Sequence, residues 1–373
     1  MKTIRRYLYV DVVTAVAFVT LGFLALFFFF DLVDELRWVG RSNSEYQITQ
    51  ALGFVALSIP GHLYELLPIT VLIGTIFVMA RLAQSSEYTI LRTSGLGPWR
   101  ALQMLLSLGI AFAVLTFAVG DYVAPLSERA ATLVKARYQG DLTVGQTGAW
   151  LRERQGEHAY AVNVQSLSSD GRMKGIRIYA FDNRGFTSAV TQAEGATFGP
   201  GARWTLQGVQ RSEFHTQADE RARVERLQAE TLPWPTRISA EMVAAAVLQP
   251  DKMPTIDLFQ YISHLEANGQ SAQRYEIEFW RKVFYPLSCL VMVVLALPFA
   301  YLHFRSGGIA TYVFGGVMAG ISFFLLNNVF GYIGNLQNWL PWLTAAAPGI
   351  IYSVLSLTAF GWLVLHVFNS IGR

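Results

Sequence analysis

Residues 306–365 read SGGIATYVFGGVMAGISFFLLNNVFGYIGNLQNWLPWLTAAAPGIIYSVLSLTAFGWLVL, 60 positions without one Asp, Glu, Lys or Arg. A helix crossing a bilayer takes about 20 apolar residues, so this run is too long for one crossing. It breaks at Gly334-Asn335-Leu336-Gln337-Asn338, before Trp339 and Pro341, and reads as two spans joined by a polar turn. Working outward, Val283–Leu302 and Ala101–Gly120 are each uncharged for 20 residues. Another 19 uncharged residues separate Asp11 from Asp31 and end in Phe27-Phe28-Phe29-Phe30. Leu66–Ala80 covers only about 22 Å of helix. That helix must continue back through Glu65 and His62, with Pro60-Gly61 and Pro68 bending or starting it. The count is six spans, three on each side of a polar segment.

Composition agrees. Of 373 residues, 53% are hydrophobic and 15% charged, against roughly 25% charged in an ordinary soluble domain. Residues 126–275 carry 17 Lys/Arg and 16 Asp/Glu, 22% of that segment, while the flanking blocks are about 10% charged. A soluble enzyme, a disordered chain and a disulfide-stapled secreted domain are excluded. The single cysteine, Cys289, permits no intrachain bridge. The expected divisions are 1–125 (spans one to three), 126–275 (an external domain) and 276–373 (spans four to six).

Short loops predict the orientation, because basic residues favour the cytoplasmic side. Lys2, Arg5, Arg6, Arg81, Arg92, Arg100, Arg305 and Arg373 share one side with Glu87 as its acid. The opposite loop, 31–45, has Asp31, Asp34, Glu35 and Glu45 against Arg37 and Arg41. Both termini are therefore expected in the cytoplasm and the polar domain outside. The first span lacks a small-residue cleavage site and reads as a retained anchor.

Within 140–235, short alternating runs are punctuated by turns. Ala159–Val164 and Gly175–Phe181 read as strands, Trp204-Thr205-Leu206 as part of a third. Ser168–Gly171, Asp182–Gly185 and Phe198–Gly201 read as turns. The pattern predicts an antiparallel sandwich or jelly roll. From Ile256 the period becomes helical, with Leu258, Tyr261, Ile262 and Leu265 on one face and Gly269 as the stop.

No catalytic constellation is present. The six histidines are scattered, no paired His/Cys spacing suits zinc, and nucleotide-binding and nucleophile-elbow motifs are missing. No cofactor is expected in this chain, and energy for transport must come from a partner or an ion gradient. The rival reading, an ion-coupled secondary transporter of a lipid or amphipathic substrate, needs acids deep in several spans. Spans three, five and six have none. A membrane-embedded hydrolase would need a Ser/His/Asp or metal cluster at one depth.

Three spans, an external β-domain and three more spans resemble the lipopolysaccharide export permeases, the LptF/LptG family. Leu82-Ala83-Gln84-Ser85-Ser86-Glu87 running to Arg92-Thr93-Ser94-Gly95 is similar to that family's cytoplasmic coupling helix. Gly269–Tyr275, Phe279-Trp280-Arg281-Lys282 and Pro286-Leu287-Ser288 are similar to its approach to span four, and Leu63–Pro68 and Val123-Ala124-Pro125 also fit. Ile178-Tyr179-Ala180-Phe181 and Trp280-Arg281-Lys282 favour the LptG-type branch over its LptF-type paralogue. The resemblance implies an α-helical inner-membrane protein with six transmembrane helices and an inserted jelly-roll-like periplasmic β-domain. It also implies an LptF-like partner permease, an LptB-type ATPase dimer carrying ATP and Mg, LptC and LptA-type periplasmic proteins, and lipopolysaccharide as cargo.

Candidate residues follow from both readings. In a coupling helix near 84–96, Glu87 would meet a basic partner residue, with Tyr88, Ile90 and Leu91 supplying apolar contact and Arg92 and Gly95 completing the motif. The bland alternative is an amphipathic helix lying on headgroups. Arg281 and Lys282, at the outer start of span four, would attract lipid phosphate. The competing reading there is a local Glu278–Lys282 pair at i,i+4 spacing. Arg37, which Asp34 could neutralise, and His62 and Glu65, which could snorkel, are the other substrate-contact candidates. Asp31 is left out, since its carboxylate would repel phosphate where the family implies a base. Asp11 is expected to pair with nearby bases. Phe27 and Phe30, Gly316 and Gly320, and Asn327 with Asn328 are gate or packing candidates: lipid-facing rings, a close helix approach, and amides that prefer the bundle interior.

Overall fold

A computed structural model of the chain describes residues 2–40, 46–139, 142–143, 148–156, 158–167, 172–199, 203–215, 223–239, 242–243, 250–301 and 309–371. Arg41, Glu45, Arg305, Arg373 and the expected turn at 168–171 lie outside these residues. Contacts divide the chain into two units: 1–34 with 55–127 and 276–373, and 35–54 with 128–275.

The first unit is helical. Among the described residues, six helices are long and apolar enough to cross a membrane: Thr3–Leu36, Ile48–Gln84, Pro98–Lys135, Gln273–Tyr301, Ile309–Leu336 and Pro341–Trp362, spans one to six. Span two is its core, with Val71, Leu72, Ile76 and Met79 buried. It runs unbroken through Pro60 and Pro68 for 37 residues, about 55 Å at helical rise. Neighbouring helices in a bundle re-satisfy the backbone groups a proline frees, which is why span helices tolerate it. Spans one and five instead turn Phe18, Leu21, Phe314 and Leu325 outward, as a lipid-facing or partner-facing surface requires.

Two spans carry local irregularities. Span three contains a π-helical turn, Val119–Val123, just before Pro125. Proline has no N–H, and a local widening of the helix is one way to absorb that loss. Span four begins as a helix at Gln273, tightens to a 3-10 turn at Tyr285–Leu287 around Pro286, and ends in a second 3-10 stretch, Leu297–Tyr301. Spans five and six meet where the polar turn was expected. Asn338 takes a left-handed φ of 50° there, and Trp339 N–H closes onto the Gly334 carbonyl at 3.0 Å.

The second unit holds one antiparallel sheet of seven described strands: β1 Leu142–Thr143, β2 Ala149–Gln155, β3 His158–Leu167, β4 Met173–Phe181, β5 Thr187–Gly199, β6 Arg203–His215 and β7 Arg223–Pro235. β1 and β2 both pair with β3, and each later strand pairs with the one before it. The inserted β-domain is thus present as expected. Its described strands follow an up-and-down meander, without the crossing connections of a Greek-key jelly roll. The register stacks Leu151, Val162, Ile178 and Thr191 in one row across four strands. Asp182 makes the β4–β5 turn by accepting the amides of Arg184 and Phe186.

Trp204 anchors this unit. It is 1% exposed, packs edge-on to Trp234 and donates its indole N–H to the Ile238 carbonyl at 3.0 Å. Buried Glu153 is satisfied by the Thr236 hydroxyl and the Arg237 amide. Buried Glu35 accepts from Tyr46 at 2.7 Å and from Lys135 at 3.1 Å. The expected connector helix is Thr255–Ala267, closed by Gly269 at φ +65°.

Candidate functional site

Between spans two and three, Glu87–Thr93 forms a separate short helix. Its end is a Schellman closure: Leu96 N–H reaches the Leu91 carbonyl at 3.0 Å and Gly95 N–H the Arg92 carbonyl at 3.1 Å. Gly95 supplies the required left-handed residue at φ +98°, so its part is to stop the helix. Buried Leu96 and half-buried Leu91 complete the hydrophobic side of that closure.

Tyr88, expected on the partner-facing side, turns inward. It is 3% exposed, its hydroxyl donates to Tyr301 at 3.0 Å, and the two rings meet edge to face. Burial pushes the Tyr88 hydroxyl pKa well up, which keeps it a donor. The outward residues are Thr89, Ile90 and Thr93, with Ile90 63% exposed. Glu87 accepts a hydrogen bond from Tyr7 of span one at 2.8 Å. Asp11 pairs with Arg81, as the sequence suggested. Exposed Trp99, at the start of span three, adds aromatic surface that sequence reasoning passed over.

The second cluster lies toward the span ends that lead to the β-domain along the chain. His62 Nε2 and Asp31 Oδ2 are 2.6 Å apart, and Phe27 packs on the His62 ring at 4.9 Å. Asp31, a misfit beside lipid phosphate, therefore has a partner within the bundle. Glu65 has an exposed side chain, while its carbonyl accepts from Tyr285. Phe30 is exposed and stacks edge-on with Phe29. Arg37 is exposed and belongs to the second unit.

Arg281 and Lys282 differ from the picture of two free cations. Arg281 donates to Glu278 at 2.8 Å and to the backbone carbonyl of Asn327 at 3.1 Å. Lys282 is 6% exposed and donates to the carbonyl of Gly120, inside the π turn, at 3.0 Å. A buried ammonium needs such acceptors. Arg281 forms an ion pair with Glu278 at i,i+3.

On span five, a side chain at Gly316 would strike Ile76, and one at Gly320 would strike Ile69. Both glycines therefore serve close packing against span two of the same chain. Asn327 is buried, but Asn328 is exposed, a correction to the expectation for both. Neighbouring helical residues point about 100° apart, so one face cannot bury the two. Further along span five, Gly331 and Gly334 make close approaches to other helices, meeting the Arg281 guanidinium of span four and Thr344 of span six. Their spacing from Gly320 was the overlooked signal.

The β-domain contributes a cavity of about 410 Å³ lined by Ile178, Ala189, Leu232, Trp234, Arg211 and Glu213 among others, a volume within the range of ligand sites. Arg211 and Glu213 form an ion pair at 2.7 Å on its wall. Among the described residues no three His, Cys, Asp or Glu side chains gather as a metal site would require.

Six apolar helices among the described residues, interrupted by an antiparallel domain, with a short helix between spans two and three, define a multi-pass membrane protein. Residues 6–362 match the lipopolysaccharide export system permease LptF/LptG family, and the chain belongs to it. It is 27% identical over 364 residues to the lipopolysaccharide export system permease protein LptG of Escherichia coli strain K12, covering 97% of each chain. It is 28% identical over 367 residues to the protein of that name from Haemophilus influenzae, covering 98% of each.

Proposed function

We propose that this chain is an LptG-type permease subunit that exports lipopolysaccharide from the bacterial inner membrane toward a periplasmic bridge. The observation that carries this reading is the family match across residues 6–362, which includes both helical blocks and the β-domain between them. The chain performs no covalent step. ATP and Mg act on a partner ATPase dimer of LptB type, seated on the helix Glu87–Thr93. An LptF-like paralogue completes the cavity, and LptC and LptA-type proteins receive the lipid.

The charge asymmetry of the loops supports cytoplasmic termini and a periplasmic β-domain. Ile90 and Glu87, with Leu91 at the margin, supply the ATPase contact, while Tyr88 transmits it inward to span four. His62, Glu65 and Arg281 of the first unit line the lipid path, and Arg37 of the second unit is a separate lipid-contact candidate. Lys282 shapes that path from behind, through span three. ATP binding draws the coupling helices together, narrows the cavity and expels lipid upward.

Affinity purification in mild detergent, followed by ATPase assays with and without lipopolysaccharide, tests this. Copurification of an ATPase whose turnover responds to lipopolysaccharide is the expected result. A lone polypeptide without ATPase activity would return the question to an ion-coupled carrier.

A further inference from the structure

We propose that Arg281 is a latch between spans four and five that a lipid phosphate releases; this deepens the lipopolysaccharide-export reading and rests on it. The guanidinium has two bonds of different strength. One goes to the Glu278 carboxylate at 2.8 Å, on its own helix. The other crosses to span five, to the neutral backbone carbonyl of Asn327 at 3.1 Å. The crossing contact is possible because the guanidinium occupies the space where a side chain at Gly331 would sit.

Asn327 and Gly331 are one helical turn apart, so the Asn327 carbonyl is also the acceptor for the Gly331 N–H within the helix. Arg281 uses the second lone pair of that oxygen. Withdrawing the guanidinium therefore strands no buried backbone group, and the crossing bond opens at low cost. A phosphate oxygen is a stronger acceptor than a neutral carbonyl, and the planar fork of arginine suits it. An arriving lipid phosphate takes the Nη2 side while Glu278 keeps the side chain oriented from Nη1. The ligand class follows: an anionic lipid headgroup with an accessible phosphate.

What holds the rest of this seam is different in kind. Tyr285 stacks on Phe323 and Phe299 meets Tyr312 edge-on, ring contacts between spans four and five. Such apolar contacts shift without breaking a charged bond. Freeing Arg281 removes a charge-assisted tie, and the Asn327–Gly331 turn of span five can then shift from span four.

The test uses the complete complex in nanodiscs, with Cys289→Ala and spin labels at Val283→Cys and Tyr332→Cys, both exposed positions. The probes are lipopolysaccharide and the same lipid with its phosphates removed. The label distance is expected to lengthen with the phosphorylated lipid and to stay put with the dephosphorylated one. Gly331→Ala, which displaces the guanidinium, should lengthen it without lipid. Arg281→Lys, which keeps charge but loses the fork, should lower the phosphate-dependent stimulation of ATPase by about tenfold, the loss of one charge-assisted contact.

Equal distances with both lipids, or a wild-type response from Gly331→Ala and Arg281→Lys, would overturn the latch while leaving export intact. A wild-type complex that carries no ATPase and ignores lipopolysaccharide would overturn the export reading and the latch together.

Discussion

The hydroxyl of Tyr88 lies 3.0 Å from that of Tyr301, joining the helix between spans two and three to the end of span four across 213 positions. The contact is inside the bundle, where the Tyr88 ring is 3% exposed. The short helix is thus tied directly to the 3-10 stretch that ends span four.

Tyr88→Ala should cost about 3–5 kcal/mol, as emptying a buried aromatic site does. Tyr88→Phe and Tyr301→Phe keep both rings and should cost about 1 kcal/mol each. Thermal unfolding of the detergent-solubilised complex, followed by tryptophan fluorescence, measures the difference. Similar losses for Ala and Phe would show that ring packing contributes little.

Ile90→Asp should separate stability from partner binding. The side chain is 63% exposed, so unfolding should move by less than about 0.5 kcal/mol. ATPase copurification should fall about tenfold or more, since 1.4 kcal/mol of lost contact suffices for that. Glu87→Lys should act in the same direction by reversing charge and removing the acceptor for Tyr7. Normal copurification in both variants would remove this helix from the interface.

Adjacent glycines on span five should differ in their response to enlargement. A side chain at Gly316 would strike Ile76, whereas nothing lies within 4 Å of one at Gly315. Gly316→Val is expected to destabilise by about 1–3 kcal/mol through overpacking, and Gly315→Val to be nearly neutral. The comparison is read from melting temperatures of the two purified complexes. Equal melting would mean that span five does not pack closely on span two.

The connector helix carries a pH signature. Burial lowers the pKa of His264, and Glu153 partly opposes this. The unfolded imidazole, near its ordinary value of about 6.5, therefore binds a proton before the folded one does. As pH falls below that value, the unfolded state gains protons and stability declines, until the folded group also protonates. His264→Gln should flatten the fall in melting temperature between pH 7.5 and 5.5 without changing its alkaline plateau. An unchanged slope would assign the acid sensitivity to other groups.

The strands show how far local pattern reaches. β3 and β4 were legible as partly alternating runs closed by turn residues, although Val162, Asn163 and Val164 are buried in succession in β3. β5 and β7 were not, since the buried positions of β5 are the small residues Ala189, Thr191, Ala193 and Ala196, which give little hydrophobic contrast, and most of β7 is exposed. Their pairing is decided by neighbours, through registers such as Val190↔Ser212 and Leu206↔Leu232. The partner of Gly331 was equally invisible. Nothing near Gly331 in sequence announces Arg281, 50 residues away.

Sequence by itself determined the spans, the inserted domain, the family and the short helix between spans two and three. These depend on hydrophobic length, periodicity and contiguous motifs, which are local along the chain. Tertiary structure decided which way each side chain on those elements faces and what it meets. Tyr88 turned inward to Tyr301, Lys282 was taken by the Gly120 carbonyl, and Asn327 was buried while Asn328 was not. Those outcomes depend on helix rotation and on partners far away in the chain, and a buried charge or hydroxyl goes wherever packing supplies an acceptor.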